Sequence, residues 1–80
     1  MYTAYVLRSE RTRKHYYGHS KDLENRLKSH NYGKVRSTKS GRPWKVIYSE
    51  VFDSKSEAYR KELFFKSKAG YAYLKQKGVI

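Results

Sequence analysis

Hydrophobic and polar positions divide the chain into segments with two different periods. Tyr2–Ser9 and Trp44–Phe52 are rich in aromatic and β-branched residues, which predicts two strands. His15–His19 is a shorter segment of the same kind, and the charged run Glu10–Lys14 separates it from the first strand. We therefore expect the first two strands to form a hairpin.

Helical spacing follows the hairpin. Leu23 and Leu27 lie four residues apart, which predicts a helix over about Lys21–Asn31, with Ser20 able to cap its start. Gly33 lies just beyond this segment and is the type of residue at which a helix ends.

A second helical region follows the third strand. Ser54 followed by Glu57 is a capping box, which predicts a helix over about Lys55–Lys68. We expect Gly70 to interrupt it, and a short last helix to cover Tyr71–Lys77.

The order of elements defines the fold class. A hairpin, a helix, a third strand and two helices give the order β-β-α-β-α-α, within one domain of residues 1–80. This order predicts an α/β protein of the α+β type, with a small three-stranded antiparallel sheet flanked by helices. The segment Tyr32–Pro43 is a basic loop rich in Gly and Ser, and long loops in compact domains are often functional.

The charge of the chain narrows the class of partner. Nineteen Lys and Arg against seven Asp and Glu give a formal net charge of +12. Such a surface attracts polyanions and gains free energy by releasing their counterions. Nucleic acid is the expected partner, with an acidic membrane surface as the second choice.

Composition excludes several classes of site and places the chain outside the membrane. The chain has no cysteine, which excludes a disulfide framework, a thiolate zinc site and a cysteine nucleophile. No segment approaches the roughly 20 apolar residues that span a bilayer. The chain begins directly with a strand-like run, so we expect no signal peptide and a cytoplasmic location.

The first predicted helix places two polar side chains beside its apolar stripe. Leu23, Arg26, Leu27 and His30 occupy positions i, i+3, i+4 and i+7, which share one face. Arg26 and His30 either form the ordinary polar border of this helix or point into a cleft. Spacing alone favours the border.

The later helix carries a carboxylate on an apolar stripe. Glu62 lies among Ala58, Phe65 and Ala69 at helical spacing. Carboxylates avoid such positions unless they are paired or bound to a cation. Glu62 is therefore either a structural salt bridge, with Arg26 or a neighbouring lysine, or a metal ligand. A single carboxylate suits Mg²⁺, which keeps several waters and takes substrate phosphate oxygens.

The hairpin brings further candidate residues together. Tyr5 and Tyr16 lie on its two strands, so their hydroxyls can approach one another, and Gly18 permits a close approach or a bulge. His15 and His19 lack convincing partners in the sequence, and we expect them at the surface or at strand ends. Trp44 is expected to anchor the core.

Together, these segments resemble the GIY-YIG nuclease domain. The matching segments, from Tyr2 to about Lys66, are Thr3-Ala4-Tyr5, Tyr16-Tyr17-Gly18, Asp22 to Leu27, His30-Asn31, and Glu57-Ala58 with Glu62. The chain is most similar to small stand-alone bacterial members that resemble the UvrC nuclease domain. The ordered set is more specific than the paired tyrosines alone, because several residues of different chemistry must fall correctly together.

The resemblance implies a role for each matching side chain. Tyr5 would help to deprotonate the attacking water, and Tyr16 would position the water or phosphate. Arg26 would bind the scissile phosphate, and His30 would assist proton transfer or phosphate binding. Glu62 would be the single metal-binding carboxylate, holding Mg²⁺ or Mn²⁺.

The basic loop supplies candidates for binding nucleic acid. Lys39 falls where some members of the family carry a phosphate-contacting side chain, and Arg36 and Arg42 lie in the same loop. The chain departs from the family pattern in reading Thr-Ala-Tyr in the first half-motif and in having no asparagine after Asn31. We expect no appended DNA-recognition domain, which leaves room for a partner protein that supplies specificity.

The sequence is consistent with three functions. The leading hypothesis is a divalent-metal-dependent DNA endonuclease, with repair or recombination as its implied setting. The alternatives are a nucleic-acid-binding module of the same fold that cleaves weakly, and a basic RNA-associated protein. Glu62 on an apolar stripe favours the nuclease, because a pure binding module has no need of it. The preferred DNA structure and the oligomeric state do not follow from the sequence.

Overall fold

The computed structural model describes all 80 residues and contains three strands, three α-helices and one 3₁₀ helix. In chain order these elements are β1 (Tyr2–Ser9), β2 (His15–Ser20), α1 (Leu23–Asn31), the 3₁₀ segment (Arg36–Gly41), β3 (Trp44–Phe52), α2 (Lys55–Phe65) and α3 (Lys68–Gln76). The three-stranded sheet and the order β-β-α-β-α-α confirm the predicted α+β class.

The first strand lies at the centre of the sheet. The strand order is β2-β1-β3, and both pairings are antiparallel. Tyr5 lies opposite Gly18 of β2 and opposite Ser49 of β3, with a register shift in the β3 pairing between Val6 and Leu7. Because β1 is paired on both sides, β2 is an edge strand, and groups from both faces of the sheet can approach it.

Alternation along β1 separates two hydrophobic clusters, one on each face of the sheet. One cluster packs against α2 and α3 and contains Ala4, Val6, Phe65 and Leu74. The other packs against α1 and contains Tyr5, Leu7 and Trp44 with Leu23 and Leu27. Trp44 is 8% exposed, so it is a core residue as expected.

The start of α1 differs from the prediction. Asp22, not Ser20, caps the helix, because its Oδ1 accepts a hydrogen bond from the Asn25 amide at 3.1 Å. The Ser20 hydroxyl instead accepts from the Asp22 amide at 3.0 Å. The helix therefore begins at Leu23, two residues later than expected. Gly33 has a φ of +76° just past the helix end, which fits its predicted role as a stop signal.

The end of α2 also differs from the prediction. Ser54 caps the helix as expected, with its Oγ accepting from the Glu57 amide at 3.2 Å. The helix ends at Phe65 rather than Lys68, because Ser67 caps the next helix. Ala69 consequently lies in α3, where it is exposed, and does not continue the stripe that contains Glu62.

Gly70 was expected to interrupt the helices, and that expectation is wrong. It lies inside the first turn of α3, where its amide donates to the Ser67 hydroxyl at 3.1 Å. A Cβ at this position would lie 1.7 Å from the Phe64 carbonyl oxygen. The glycine therefore allows α3 to fold back closely on the end of α2.

No helix of this fold is a candidate for spanning a membrane. The longest helix, α2, has 11 residues, and none of the helices has the length and apolar character to cross a bilayer.

Candidate active site

A buried tyrosine lies against the edge strand. Tyr5 is 1% exposed, and its ring crosses over Gly18 on the neighbouring strand. A Cβ on Gly18 would lie 2.5 Å from the Tyr5 hydroxyl oxygen. The expected close approach at Gly18 is therefore made by the tyrosine side chain, which only glycine accommodates.

The Tyr5 hydroxyl begins a chain of buried hydrogen bonds. It lies 3.1 Å from Nε2 of His30, and Nδ1 of His30 lies 2.8 Å from Oγ1 of Thr38. The Thr38 hydroxyl in turn donates to the Val35 carbonyl oxygen at 3.3 Å. His30 is fully buried and Thr38 is 1% exposed, so these hydrogen bonds are shielded from solvent.

The direction of this chain assigns the protons. Because the Thr38 hydroxyl donates to a carbonyl, it accepts from His30, which places a proton on Nδ1 of His30. Nε2 of His30 then accepts from the Tyr5 hydroxyl. Burial, with a contribution from Arg26, lowers the pKa of His30 to about 4, so the imidazole is neutral at pH 7.

The end of α1 and the start of β3 hold Thr38 in place. The Trp44 indole donates to the Thr38 carbonyl oxygen at 2.7 Å. Asn31 binds the Trp44 backbone twice, accepting from its amide at 2.6 Å and donating to its carbonyl at 3.1 Å. Asn31, which the resemblance matched beside His30, is thus a structural link that fixes the residue contacting His30.

Tyr16 and Arg26 complete this side of the site. Tyr16 packs its ring against His30 at a centroid distance of 4.8 Å, and its centroid lies 6.5 Å from that of Tyr5. The half-buried Arg26 guanidinium lies beside both tyrosine hydroxyls. Burial acts to lower the pKa of Arg26, but the neighbouring tyrosines outweigh burial and raise it. This helix face therefore points into a cleft rather than forming a polar border.

Tyr5 is protonated at neutral pH, whereas a tyrosine acting alone as a base would have to be deprotonated. Burial raises the pKa of Tyr5 to about 12, although the Arg26 guanidinium opposes part of that increase. The hydroxyl therefore keeps its proton at neutral pH and directs it at His30.

Glu62 lies on the other side of the edge strand and is paired twice. One carboxylate oxygen, Oε1, lies 2.6 Å from Nδ1 of His19, and Oε2 accepts from the Lys66 ammonium at 2.8 Å. The Glu62 side chain is 12% exposed. The lysine considered for a salt bridge is thus Lys66, one turn along α2, whereas Arg26 faces the tyrosines.

His19 lies next to the last residue of β2, near the strand end as expected, but it has a partner, which was not expected. His19 lies opposite Ala4 in β2, so its side chain is on the face of the sheet that α2 covers. There it contacts Glu62 and packs its ring against Tyr59 at 5.4 Å. No sequence pattern indicates this pairing, because the register of the hairpin and the packing of α2 bring together residues 43 positions apart.

The donor set fits a divalent cation held by a single carboxylate. Burial acts to raise the pKa of Glu62, but Lys66 and His19 outweigh burial and lower it, so the carboxylate is charged. No cluster of three or more His, Cys, Asp or Glu side chains is present. A cation here would therefore take one or two protein ligands and complete its shell with water and phosphate oxygens, as Mg²⁺ does.

The three basic residues of the loop lie apart from this cleft. Arg36, Lys39 and Arg42 are exposed on or beside the 3₁₀ segment. The Arg42 guanidinium donates to the Lys39 carbonyl oxygen at 2.9 Å and covers Gly33. Arg26 instead borders a recess with His19 and Lys55. The loop contributes Thr38 to the site, a residue that sequence reasoning did not single out.

The comparisons with known proteins decide the family. The family model described as the GIY-YIG catalytic domain matches residues 1–74. The chain belongs to the GIY-YIG family. This is a family of nucleases, generally dependent on a divalent metal, whose domain binds DNA.

Relatives and a solved structure agree with this assignment. A UPF0213 protein of Streptococcus agalactiae is 45% identical over 65 residues, covering 76% of this chain and 74% of the relative. The UPF0213 protein YazA of Bacillus subtilis is 44% identical over 52 residues, covering 64% of this chain and 52% of YazA. The solution structure of a UPF0213 protein from Bacillus halodurans has a TM-score of 0.55 and 29% identity, covering 95% of this chain and 84% of that one.

Proposed function

We propose that this GIY-YIG protein is a divalent-metal-dependent endonuclease that hydrolyses DNA phosphodiester bonds. The observation that carries the proposal is the buried chain of hydrogen bonds from Tyr5 through His30 to Thr38, with Arg26 beside the Tyr5 end. Glu62 lies across the edge strand from it. Repair or recombination is the setting that the resemblance suggests.

Tyr5 and His30 act together as the base. The pKa of Tyr5 is raised to about 12, so a free phenolate would be scarce at neutral pH. As water attacks the phosphorus, its proton passes to the Tyr5 oxygen while the Tyr5 proton passes to Nε2 of His30. The imidazolium that forms keeps its other proton on Nδ1, which donates a hydrogen bond to the Thr38 hydroxyl, so no phenolate accumulates.

Arg26 binds the phosphate and makes this transfer easier. A guanidinium matches the geometry of phosphate oxygens and stabilises the charge that develops on them. The positive charge of Arg26 also lowers the pKa of His30, so a phosphate anion bound to Arg26 offsets that effect. Substrate binding therefore strengthens His30 as a proton acceptor.

Glu62 would hold the divalent cation, Mg²⁺ or Mn²⁺, with His19 beside it. When bound, the cation would stabilise charge on the phosphate and the leaving oxygen. Lys66 neutralises the same carboxylate through a side chain that is 49% exposed. It is therefore free to move away from Glu62.

The same pairing favours a second candidate function. Both carboxylate oxygens of Glu62 already have partners, which is the arrangement of a structural ion pair. With a formal net charge of +12, such a protein would bind nucleic acid and cleave it weakly, with a partner protein supplying specificity.

Nicking of supercoiled plasmid with Mg²⁺ or Mn²⁺ distinguishes the endonuclease from the nucleic-acid-binding module. The wild type should nick the plasmid, and Glu62→Gln should lose at least about 100-fold in rate while keeping DNA binding. Glu57→Gln, an exposed carboxylate on the same helix, is the matched control and should cleave like the wild type. Equal cleavage by wild type and Glu62→Gln would refute the assignment of Glu62. Retained DNA binding without cleavage would favour the binding module.

A further inference from the structure

One face of α2 carries side chains suited to binding nucleic acid that the proposed cleavage site does not use. Lys55, Tyr59, Glu62 and Lys66 occupy positions i, i+4, i+7 and i+11, which form a single stripe along the helix. Glu62 is the candidate metal carboxylate. Tyr59 and Lys55 lie on the N-terminal side of it, with Tyr59 about one helical turn away.

Two adjoining recesses connect this stripe to Arg26. One, of about 320 Å³, is bordered by Arg26, His19 and Lys55, together with Tyr2 and residues at the end of β2. The other, of about 500 Å³, is bordered by His19, Lys55, Ser56 and Tyr59. Because they share His19 and Lys55, a groove runs from the candidate phosphate site at Arg26 to the ring of Tyr59.

The ring of Tyr59 is exposed beside the second recess. It is 47% exposed, and its only aromatic contact is the T-shaped packing against His19 at 5.4 Å. Tyr5, Tyr48 and Tyr73 use their hydroxyls within the fold: Tyr5 bonds His30, whereas Tyr48 and Tyr73 bond Glu50. The Tyr59 hydroxyl makes no such bond, and apart from the edge that contacts His19 its ring is open to a ligand in the recess.

We propose that Tyr59 stacks against the base of the nucleotide next to the scissile phosphate, while Lys55 contacts a phosphate of the same strand. The inference rests on the proposed function and names its substrate class. A base within a duplex has both faces covered by its neighbours. Tyr59 therefore selects nucleic acid in which this nucleotide is unpaired, as in a single strand, a flap or a gap. Stacking on an aromatic side chain contributes about 1–3 kcal/mol per base, and it tolerates any base.

Binding measured without divalent cations tests this directly. Fluorescence anisotropy with EDTA present gives the affinity for a labelled single strand and for the blunt duplex of the same sequence. Tyr59→Leu should weaken binding of the single strand by roughly 5- to 150-fold and that of the duplex by less than about twofold. Tyr59→Phe keeps the ring and should bind both like the wild type.

Tyr71 provides the matched control. It is 50% exposed on α3, has Lys75 at 5.9 Å from its ring, and borders neither recess. Tyr71→Leu should leave both affinities within about twofold of the wild type. Equal effects of Tyr59→Leu and Tyr71→Leu would overturn the proposal, because they would show only a general contribution of exposed tyrosines. An equal loss of single-strand and duplex affinity in Tyr59→Leu would overturn it too.

Failure of this proposal is distinct from failure of the nuclease assignment. If the wild type nicks DNA and Tyr59→Leu binds single strands normally, the stacking site is refuted and the nuclease stands. If the wild type does not cleave any DNA but Tyr59→Leu selectively loses single-strand affinity, the stacking site is supported and the nuclease assignment alone fails.

Discussion

The buried His30 should make the stability of the fold depend on pH in a defined window. Burial and the neighbouring Arg26 lower its pKa from 6.5 to about 4 in the folded protein. The unfolded chain therefore binds more protons than the folded protein between those values. Stability is fully present above pH 6.5 and is lost as the pH falls towards 4.

The size of this loss follows from the two pKa values. Going from 6.5 to about 4 corresponds to about 3 kcal/mol in total, and roughly 2 kcal/mol of it should be lost between pH 7 and pH 4.5. This is a large fraction of the stability of a domain this small. The urea midpoint should fall by about 2 M, since the slope for a small domain is about 1 kcal/mol per molar.

Urea unfolding at pH 7, 5.5 and 4.5 measures this effect, and His30→Gln removes the titrating group. The variant should be less stable at pH 7, because glutamine cannot reproduce both hydrogen bonds, but its midpoint should change little with pH. His15→Gln is the control: burial and Arg8 also lower the pKa of His15, but His15 is only half-buried whereas His30 is fully buried, so this variant should keep most of the pH dependence. A pH dependence in His30→Gln equal to that of the wild type would refute the assignment to His30.

Three further substitutions test the geometry around this histidine. Gly18→Ala would place a methyl group 2.5 Å from the Tyr5 hydroxyl, so the ring must move; we expect a cost of about 1–3 kcal/mol in urea unfolding and a loss of plasmid nicking. Thr38→Val leaves the Nδ1 proton of His30 without an acceptor and should cost about 1–3 kcal/mol in the same assay, whereas Thr38→Ser should recover most of it. Arg26→Ala should reduce nicking by at least about 100-fold while its urea midpoint stays near that of the wild type, and an unfolded variant would contradict a role in phosphate binding.

The local elements were predictable from the sequence because they depend on neighbouring residues. The alternation of β1 and the Ser54 cap of α2 involve residues within a few positions of one another. Errors arose where two local signals competed. Ser20 and Asp22 can both cap a helix, and the structure uses Asp22. Gly70 resembles a helix stop in sequence, but its reason lies in the close contact with the Phe64 carbonyl.

The candidate site was predictable only in part. Tyr5 and His30 were identified separately, but their contact at 3.1 Å spans 25 residues and depends on how α1 packs against the sheet. Thr38 lies in a loop whose path does not follow from the sequence. The contact between His19 and Glu62 spans 43 residues, so neither residue indicates the other in the sequence. Each of these contacts depends on tertiary packing, and no periodic pattern encodes it.

The two explanations of Glu62, as a structural ion pair or as a metal ligand, are compatible in this structure. Lys66 contacts Oε2 of Glu62 and is 49% exposed, although Glu62 itself is only 12% exposed. A divalent cation bound to Oε2 would therefore displace an ammonium group that can move into solvent, while His19 remains beside Oε1. Meanwhile Lys66 and His19 keep the carboxylate charged within an otherwise apolar stripe, which lowers the free energy of holding it there. The ion pair seen in the structure thus preserves the charge that a metal site requires, and it does so in a form that a cation can exchange.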